Sequence, residues 1–343
     1  MKAVRLHGAG DLRVEEVPPP DAPAAGWVRL KVGAAGICGS DIHNFRTGQW
    51  ITRAPSIAGH ELTGVVVETG AGVEGLAPGD AVVADSRFWC GQCPACRAGR
   101  HHLCEKLGFV GEACDGGFAE EVVLPARLLL PVPAELDPAV AAMAEPLAVA
   151  LHAVRRLAPQ PGEPVLVVGC GPIGGLAALA LARGRDGVPH DGPVLVADRN
   201  RARAALVAEV TGARSVALDA GDLRAALDGR LPAAAIEATG SPAALSALTG
   251  VMEGGGRVAL VGIYHGRLDL DPNRMVEHEL SMIGCHAFTD ELPQAVALLP
   301  ALQTDLLRLV EREISLDEVP VAYERLIAGE ADGLKTIIRP GRP

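Results

Sequence analysis

The sequence predicts an α/β protein in two parts: a β-rich part, then a doubly wound parallel sheet with helices on both faces. Three observations carry this. From about residue 138 short apolar strands alternate with helical stretches, the pattern of parallel strands joined by crossover helices. A glycine fingerprint, Gly169-Cys-Gly171-Pro-Ile-Gly174, stands where the first of those strands gives way to a helix. Before residue 138 the apolar runs are short, β-rich and bounded by Gly, Pro and Asp.

In chain order, strands are predicted over 28–35, 61–68, 81–84 and 118–124, with the turn Pro78-Gly79-Asp80 feeding the third and a short helix over 41–45. Residues 138–156 are Ala/Leu-rich and helical, with Glu145-Pro146 as a kink or helix start. Next come a strand at 165–168, a helix at 173–183, a strand at 194–197 and a helix at 201–211. Strands follow at 215–218, 233–237, 257–261 and 281–285, then helices at 292–299 and 317–328 and a last strand at 334–338. The expected domains are 1–147, with a cysteine lobe at 86–106, then 148–285, and a segment 286–343 that returns to the first domain. That nesting places a site in the cleft between the domains.

A chain of 343 residues suits two cores. With 49% hydrophobic but only 3% aromatic residues, those cores are built from Ala, Val and Leu. A net charge of −11 argues against nucleic acid or an anionic membrane as partner. The start, MKAVRLHGAGDLRVEE, lacks the apolar core of a signal peptide, which favours the cytoplasm. Residues 165–182 carry no charge, but Gly169, Gly171, Pro172, Gly174 and Gly175 break the run into strand, turn and buried helix rather than a membrane span. Eight cysteines, clustered in a chain of this kind, point to metal rather than disulfides.

Cys90, Cys93, Cys96 and Cys104 follow the spacing C-x2-C-x2-C-x7-C. Four thiolates this close can enclose one zinc ion, and a zinc with no open position is structural. Gly91 and Gly99 let the loop turn, and Pro94 stiffens it. A second set of ligand-type residues, Cys38, His60 and Glu61, lies upstream. In the fingerprint, Gly169 opens a tight turn and Gly171 lets the backbone approach a pyrophosphate. Gly174 allows helix and strand to pack, while Pro172 and Ile173 open the helix whose free N–H groups face the phosphates. Asp198 ends the next strand, where its carboxylate can accept the ribose hydroxyls and repel a 2′-phosphate, favouring NAD. Arg199, Arg201 and Arg203 follow closely and keep NADP open. Thr239 and Gly262, just past two later strands, complete the cofactor set.

Together these motifs resemble the zinc-dependent medium-chain alcohol/polyol dehydrogenases along essentially the whole chain. The carrying segments are ICGSDIH, GHELTG, the four-cysteine lobe, DGGFAEEVV, AEPLAVALHAV and the fingerprint. The resemblance implies a GroES-like β-rich catalytic domain and a Rossmann domain, two zinc ions per subunit, and a homodimer or homotetramer. It implies that Cys38 and His60 hold the catalytic zinc, with Glu61 and Glu145 alternating as the third protein ligand. By the same likeness Ser40 and His43 form the proton relay, and Asp41 orients His60. Glu145 stands where the primary-alcohol branch has cysteine, so the chain looks closer to sorbitol, idonate, butanediol and threonine dehydrogenases. The stretch Ser86-Arg87-Phe88-Trp89 lacks the histidine that threonine dehydrogenases carry there. The segment 184–193 is longer than the family usually shows.

The implied reaction is hydride transfer between a secondary alcohol or polyol and NAD, giving a ketone. Zinc lowers the pKa of a bound oxygen, in the most activated water sites to about 7. Two alternatives stay open: an NADPH-dependent reductase of a keto intermediate, and a zinc- and NAD-binding regulator without turnover. Phe45, Trp50, Phe88 and residues near Cys285 and Phe288 are candidates for the substrate pocket. Arg87 either faces an acidic substrate or is a solvated loop arginine.

Overall fold

The structure, a computed structural model, describes residues 1–184, 187–268 and 270–342. The chain forms two compact units. The first comprises Met1–Glu145, Ala295–Ala331 and the chain from Lys335 onward; the second comprises Pro146–Gln294 and Asp332–Leu334. The return to the first unit therefore comes at Ala295, later than residue 286. Glu291, just before it, is tied to His152 of the second unit by a 2.9 Å hydrogen bond. Arg185 and Asp186, part of the long segment 184–193, lie outside the described residues.

The first unit is built on one sheet in the order Leu129–Pro131, Ala81–Ala84, Glu61–Thr69, Trp27–Gly36, Lys335–Ile338, Val310–Ile314, with Glu121–Pro125 also paired to Trp27–Gly36. Trp27–Gly36 shows why it takes the centre. Val28, Leu30 and Val32 alternate into the core, and at the far end Ala34, Ala35 and Gly36 are all buried. In register, Gly36 lies across from Glu61 on one side and from Ile337 on the other. Three segments far apart in sequence thus meet at one end of the sheet. A core of Leu30, Leu62, Leu124, Phe118 and Tyr323 closes the face beneath.

The second unit is a six-stranded parallel sheet in the order Arg214–Ser215, Val194–Ala197, Val165–Val168, Ala234–Glu237, Arg257–Leu260, Ser281–Gly284. Numbered along the chain this is 3-2-1-4-5-6, the doubly wound order with its reversal beside the first strand. Val165–Val168 and Ala234–Glu237, flanked by strands and helices, are wholly buried.

Several elements differ from expectation for physical reasons. The helix predicted to end at 299 runs through Pro300 as Leu292–Leu309, because Leu299, Leu302, Leu306 and Leu309 keep one buried stripe across the proline. The strand placed at 118–124 begins only at Glu121. The residues before it bond to a loop instead, Gly117 N to Gly59 O at 2.8 Å and Phe118 N to Ala58 O at 3.0 Å. The strand placed at 215–218 is the short edge strand Arg214–Ser215. The N-terminal hairpin Lys2–Gly8 and Asp11–Glu16 was not anticipated, although Val4 and Leu6, and Leu12 and Val14, alternate with charged and polar neighbours. No helix among the described residues is long and apolar enough to cross a membrane.

Candidate functional site

The lobe brings its four cysteines together: the sulfurs of Cys90, Cys93, Cys96 and Cys104 lie within 4.8 Å of one another. Backbone N–H groups point at them, Cys90 N and Lys106 N to Cys104 Sγ at 3.3 Å each, and Cys96 N to Cys93 Sγ at 3.5 Å. The N–H groups of Cys96 and Glu105 draw the Cys93 thiol down to about 6. All four are free cysteines. Four thiols, converging and served by donors that favour thiolate, fit one structural zinc. Trp89, next to Cys90, stacks on His101 at 4.4 Å and 10° and lies 4.6 Å from the Arg127 guanidinium.

The second set forms at the end of the central sheet. Cys38 caps the N-terminus of the helix Gly39–Thr47, which carries Ser40, Asp41 and His43. Asp41 Oδ2 accepts the Cys38 backbone N–H at 2.8 Å, and its Oδ1 lies 3.6 Å from His60 Nδ1. The other ring nitrogen, Nε2, lies 3.4 Å from Ser40 Oγ. His60 owes its place to Gly59, whose φ of +97° favours glycine and where an added Cβ would strike Phe118 at 2.3 Å. Donor atoms of Cys38, His60 and Glu61 lie within 4.8 Å of one another. One thiolate, one imidazole and one carboxylate is a donor set suited to zinc with a position left open. His43 Nε2 is 3.0 Å from Gln49 Oε1, and its ring packs on Trp50 at 4.3 Å.

Two carboxylates flank this set in different company. Glu61 accepts from Lys335 Nζ at both oxygens, 2.7 and 2.6 Å. Glu145 accepts from Ser86 Oγ at 2.6 Å, and burial pushes its carboxyl up to about 7. Glu145 is not grouped with Cys38 and His60 as Glu61 is. Neither Lys335 nor Ser86 was picked out from sequence: a lone Lys opening an apolar strand and a Ser beside the lobe carry no local signal.

Arg87 fits neither expectation. It is 3% exposed and makes a two-pronged pair with Asp85, Nε to Oδ1 at 2.9 Å and Nη2 to Oδ2 at 2.7 Å. Among the pocket candidates, Phe45 packs edge-on against Tyr323 at 5.4 Å, Phe88 lies 6.4 Å from Trp27, and Phe288 is fully buried.

In the second unit a cavity of about 900 Å³ is lined by Gly169, Gly171, Asp198, Arg199, Arg203 and Thr239, among others. Gly171 caps the helix Pro172–Arg183 with no side chain bonded to its first turn, so those N–H groups remain for an anion. An added Cβ at Gly171 would meet nothing within 4 Å, whereas at Gly174 it would lie 1.7 Å from Gly169 O. Gly171 keeps space beside the loop open for a pyrophosphate, and Gly174 lets the helix seat on the strand. Asp198 accepts from Cys170 N at 2.6 Å and Asn200 N at 2.7 Å, fixing its carboxylate at the pocket. Gly262 lets the loops after two strands touch: a Cβ there would lie 2.2 Å from Gly240 N. Pro172, Ile173 and Gly262 are not among the lining residues. The unpredicted Glu237, wholly buried, accepts from Thr239 N at 2.8 Å and from the Tyr264 hydroxyl, holding Thr239 in place.

Comparison with known proteins adds an independent line. Residues 24–134 match the alcohol dehydrogenase GroES-like domain, and residues 174–301 match the zinc-binding dehydrogenase domain. The L-galactonate-5-dehydrogenase of Escherichia coli K12 is 38% identical over 267 residues, 76% of each chain. The 2-dehydro-3-deoxy-L-galactonate 5-dehydrogenase of Pseudoalteromonas atlantica is 34% identical over 92% of each chain. A solved alcohol dehydrogenase from E. coli CFT073, in complex with NADH, superposes with a TM-score of 0.87 at 28% identity over 99% of both chains.

Proposed function

This chain belongs to the zinc-dependent medium-chain alcohol/polyol dehydrogenase family, and on that premise we propose which residues perform its chemistry. It is an oxidoreductase that moves a hydride between NAD and a secondary hydroxyl of a polyol, sugar acid or diol, giving a ketone. Its cofactors are zinc and the nicotinamide dinucleotide.

The observation that carries the reading is the convergence of Cys38, His60 and Glu61, with Ser40 Oγ 3.4 Å from His60 Nε2. Cys38 and His60 would hold the catalytic zinc, with Glu61 or Glu145 completing the protein ligands, and Cys90, Cys93, Cys96 and Cys104 would hold the second ion. The catalytic ion supplies Lewis acidity to the substrate hydroxyl, and NAD accepts the hydride. Asp41 fixes the His60 ring by its Nδ1 face, so that Nε2 is the nitrogen presented. Ser40 takes the hydroxyl proton, and His43, its ring set by Gln49 and Trp50, releases it. Asp198 receives the adenosine ribose, while the uncapped first turn behind Gly171 receives the pyrophosphate.

NAD is the favoured dinucleotide because a fixed carboxylate at Asp198 opposes a 2′-phosphate. Both named relatives act at C5 of a six-carbon sugar acid, which makes that class the first to test. Arg87 is engaged by Asp85, so a substrate carboxylate would be met by other residues. The reading includes a cytoplasmic homodimer or homotetramer. A panel of polyols, diols and sugar acids with NAD and NADP, followed by NADH absorbance, tests it. Turnover of secondary alcohols with NAD is expected; no turnover of any with either dinucleotide overturns it.

A further inference from the structure

We infer that Glu237 supplies a buried negative charge that biases the dinucleotide pocket toward the oxidised, cationic nicotinamide over the reduced, neutral one. This rests on the reading that the pocket binds NAD. It gives a task to a carboxylate that the proposed chemistry leaves idle.

Strand order places Glu237 in the half of the sheet where such a charge matters. In a doubly wound sheet each half holds one mononucleotide, and the pyrophosphate crosses at the reversal. Gly171 follows Val165–Val168 at that reversal, and Asp198 follows Val194–Ala197 on the adenosine side. The nicotinamide half therefore falls to Ala234–Glu237 and the strands beyond it. Glu237 is the last residue of its strand, at the carboxyl end where these sheets take their ligands. Thr239, two residues on, lines the cavity.

The surroundings hold the charge without cancelling it. Glu237 is 0% exposed. Its Oε1 accepts from Thr239 N at 2.8 Å and from the Thr239 hydroxyl, and its Oε2 accepts from Gly240 N at 3.2 Å and from the Tyr264 hydroxyl. Burial, then the hydrogen bond and charge of Glu237, push the Tyr264 hydroxyl up, so it keeps its proton and donates. Four donors facing two oxygens suit a carboxylate, which only accepts; a glutamine would turn its NH2 group on two of them. Buried charges are ordinarily paired with opposite ones, yet every partner of Glu237 among the described residues is neutral. The site is also tightly closed. Glu237 O accepts Val261 N at 3.0 Å and Gly262 N at 3.1 Å, and a Cβ at Gly262 would lie 2.8 Å from Glu237 Oε2. Away from water such a charge acts at longer range than one in solvent. A cationic ring in this half of the pocket gains from it, and a neutral ring does not.

Calorimetric titration of NAD, NADH and ADP-ribose, which lacks the nicotinamide, into the zinc-loaded protein tests this. In Glu237→Gln the ratio of the NAD dissociation constant to that of NADH is expected to rise about tenfold, with ADP-ribose affinity unchanged. Glu237→Asp keeps the charge and is expected to keep the wild-type ratio. Should Glu237→Gln fold poorly, Tyr264→Phe decides: with one donor fewer the charge is less neutralised, and the ratio is expected to fall. An unchanged ratio in Glu237→Gln, with the three ligands weakened alike or not at all, makes Glu237 a tie between two loops and overturns the inference while the dinucleotide reading stands. A Glu237→Asp ratio that follows Glu237→Gln, or a Tyr264→Phe ratio that stays or rises, overturns it equally. Wild-type protein that binds neither NAD nor NADH overturns the underlying reading and the inference with it.

Discussion

Asp41 reaches two neighbours at once: its carboxylate accepts the backbone N–H of Cys38 at 2.8 Å and lies 3.6 Å from Nδ1 of His60. One side chain thus locks the cysteine-bearing turn and the imidazole into a common frame. Asp41→Ala should weaken zinc binding at this centre by about 10–100-fold. Metal analysis after graded chelation checks it: one zinc should leave early while the lobe keeps its own. Equal retention of both ions in the variant would contradict the frame.

Gly171 and Gly174 sit in the same loop for different reasons, and their alanine variants should separate. Gly174→Ala places a methyl 1.7 Å from Gly169 O, so the helix must shift, and both thermal stability and NADH binding fall. Gly171→Ala meets open space in the free protein, so its stability should stay near wild type, while NADH binding weakens about tenfold or more. Denaturant unfolding and NADH fluorescence titration provide the two measurements.

Arg87 and Asp85 are both nearly buried, which makes Arg87→Ala a stability variant. Leaving Asp85 without its partner should cost about 3–5 kcal/mol. Urea unfolding measures the cost. A well-folded variant whose only change is its preference among acidic substrates would restore the substrate role considered from sequence.

Glu291 accepts from His152 Nδ1 at 2.9 Å, Thr289 N at 2.6 Å and Asp290 N at 3.0 Å. Burial raises its carboxyl, but these partners outweigh burial and hold it down to about 2, against the usual 4.5. A lowered folded-state value means stability that is full above about 4.5 and lost as pH falls toward 2. Glu291→Gln should therefore melt below wild type at pH 7, and the gap should close on acidification. A gap independent of pH would assign the loss to packing.

Sequence made the second unit readable almost strand by strand, because a buried parallel sheet announces itself in uncharged runs such as Val165–Val168, and its helices carry caps and glycines at their ends. The first unit was less readable. Its strands are short, and the pairing of Lys335–Ile338 with Trp27–Gly36 joins residues some 300 positions apart, which no local pattern encodes. The candidate site followed the same division. Cys38, His60 and the lobe cysteines stand out by residue type and spacing. Lys335, Ser86 and Glu237 act only through partners brought by the fold, and Arg87 was misread because its companion Asp85 gave no hint that both are buried.

The central claim is that Cys38 and His60 hold a zinc separate from the lobe and that turnover depends on it. Zinc content, NADH affinity and alcohol oxidation measured side by side on wild type, Cys38→Ala and His60→Ala test it most directly. The account predicts two zinc ions per chain in wild type and one in each variant, with NADH binding kept and oxidation lost. Variants that keep two ions, or that lose one and still oxidise alcohols at the wild-type rate, would contradict it.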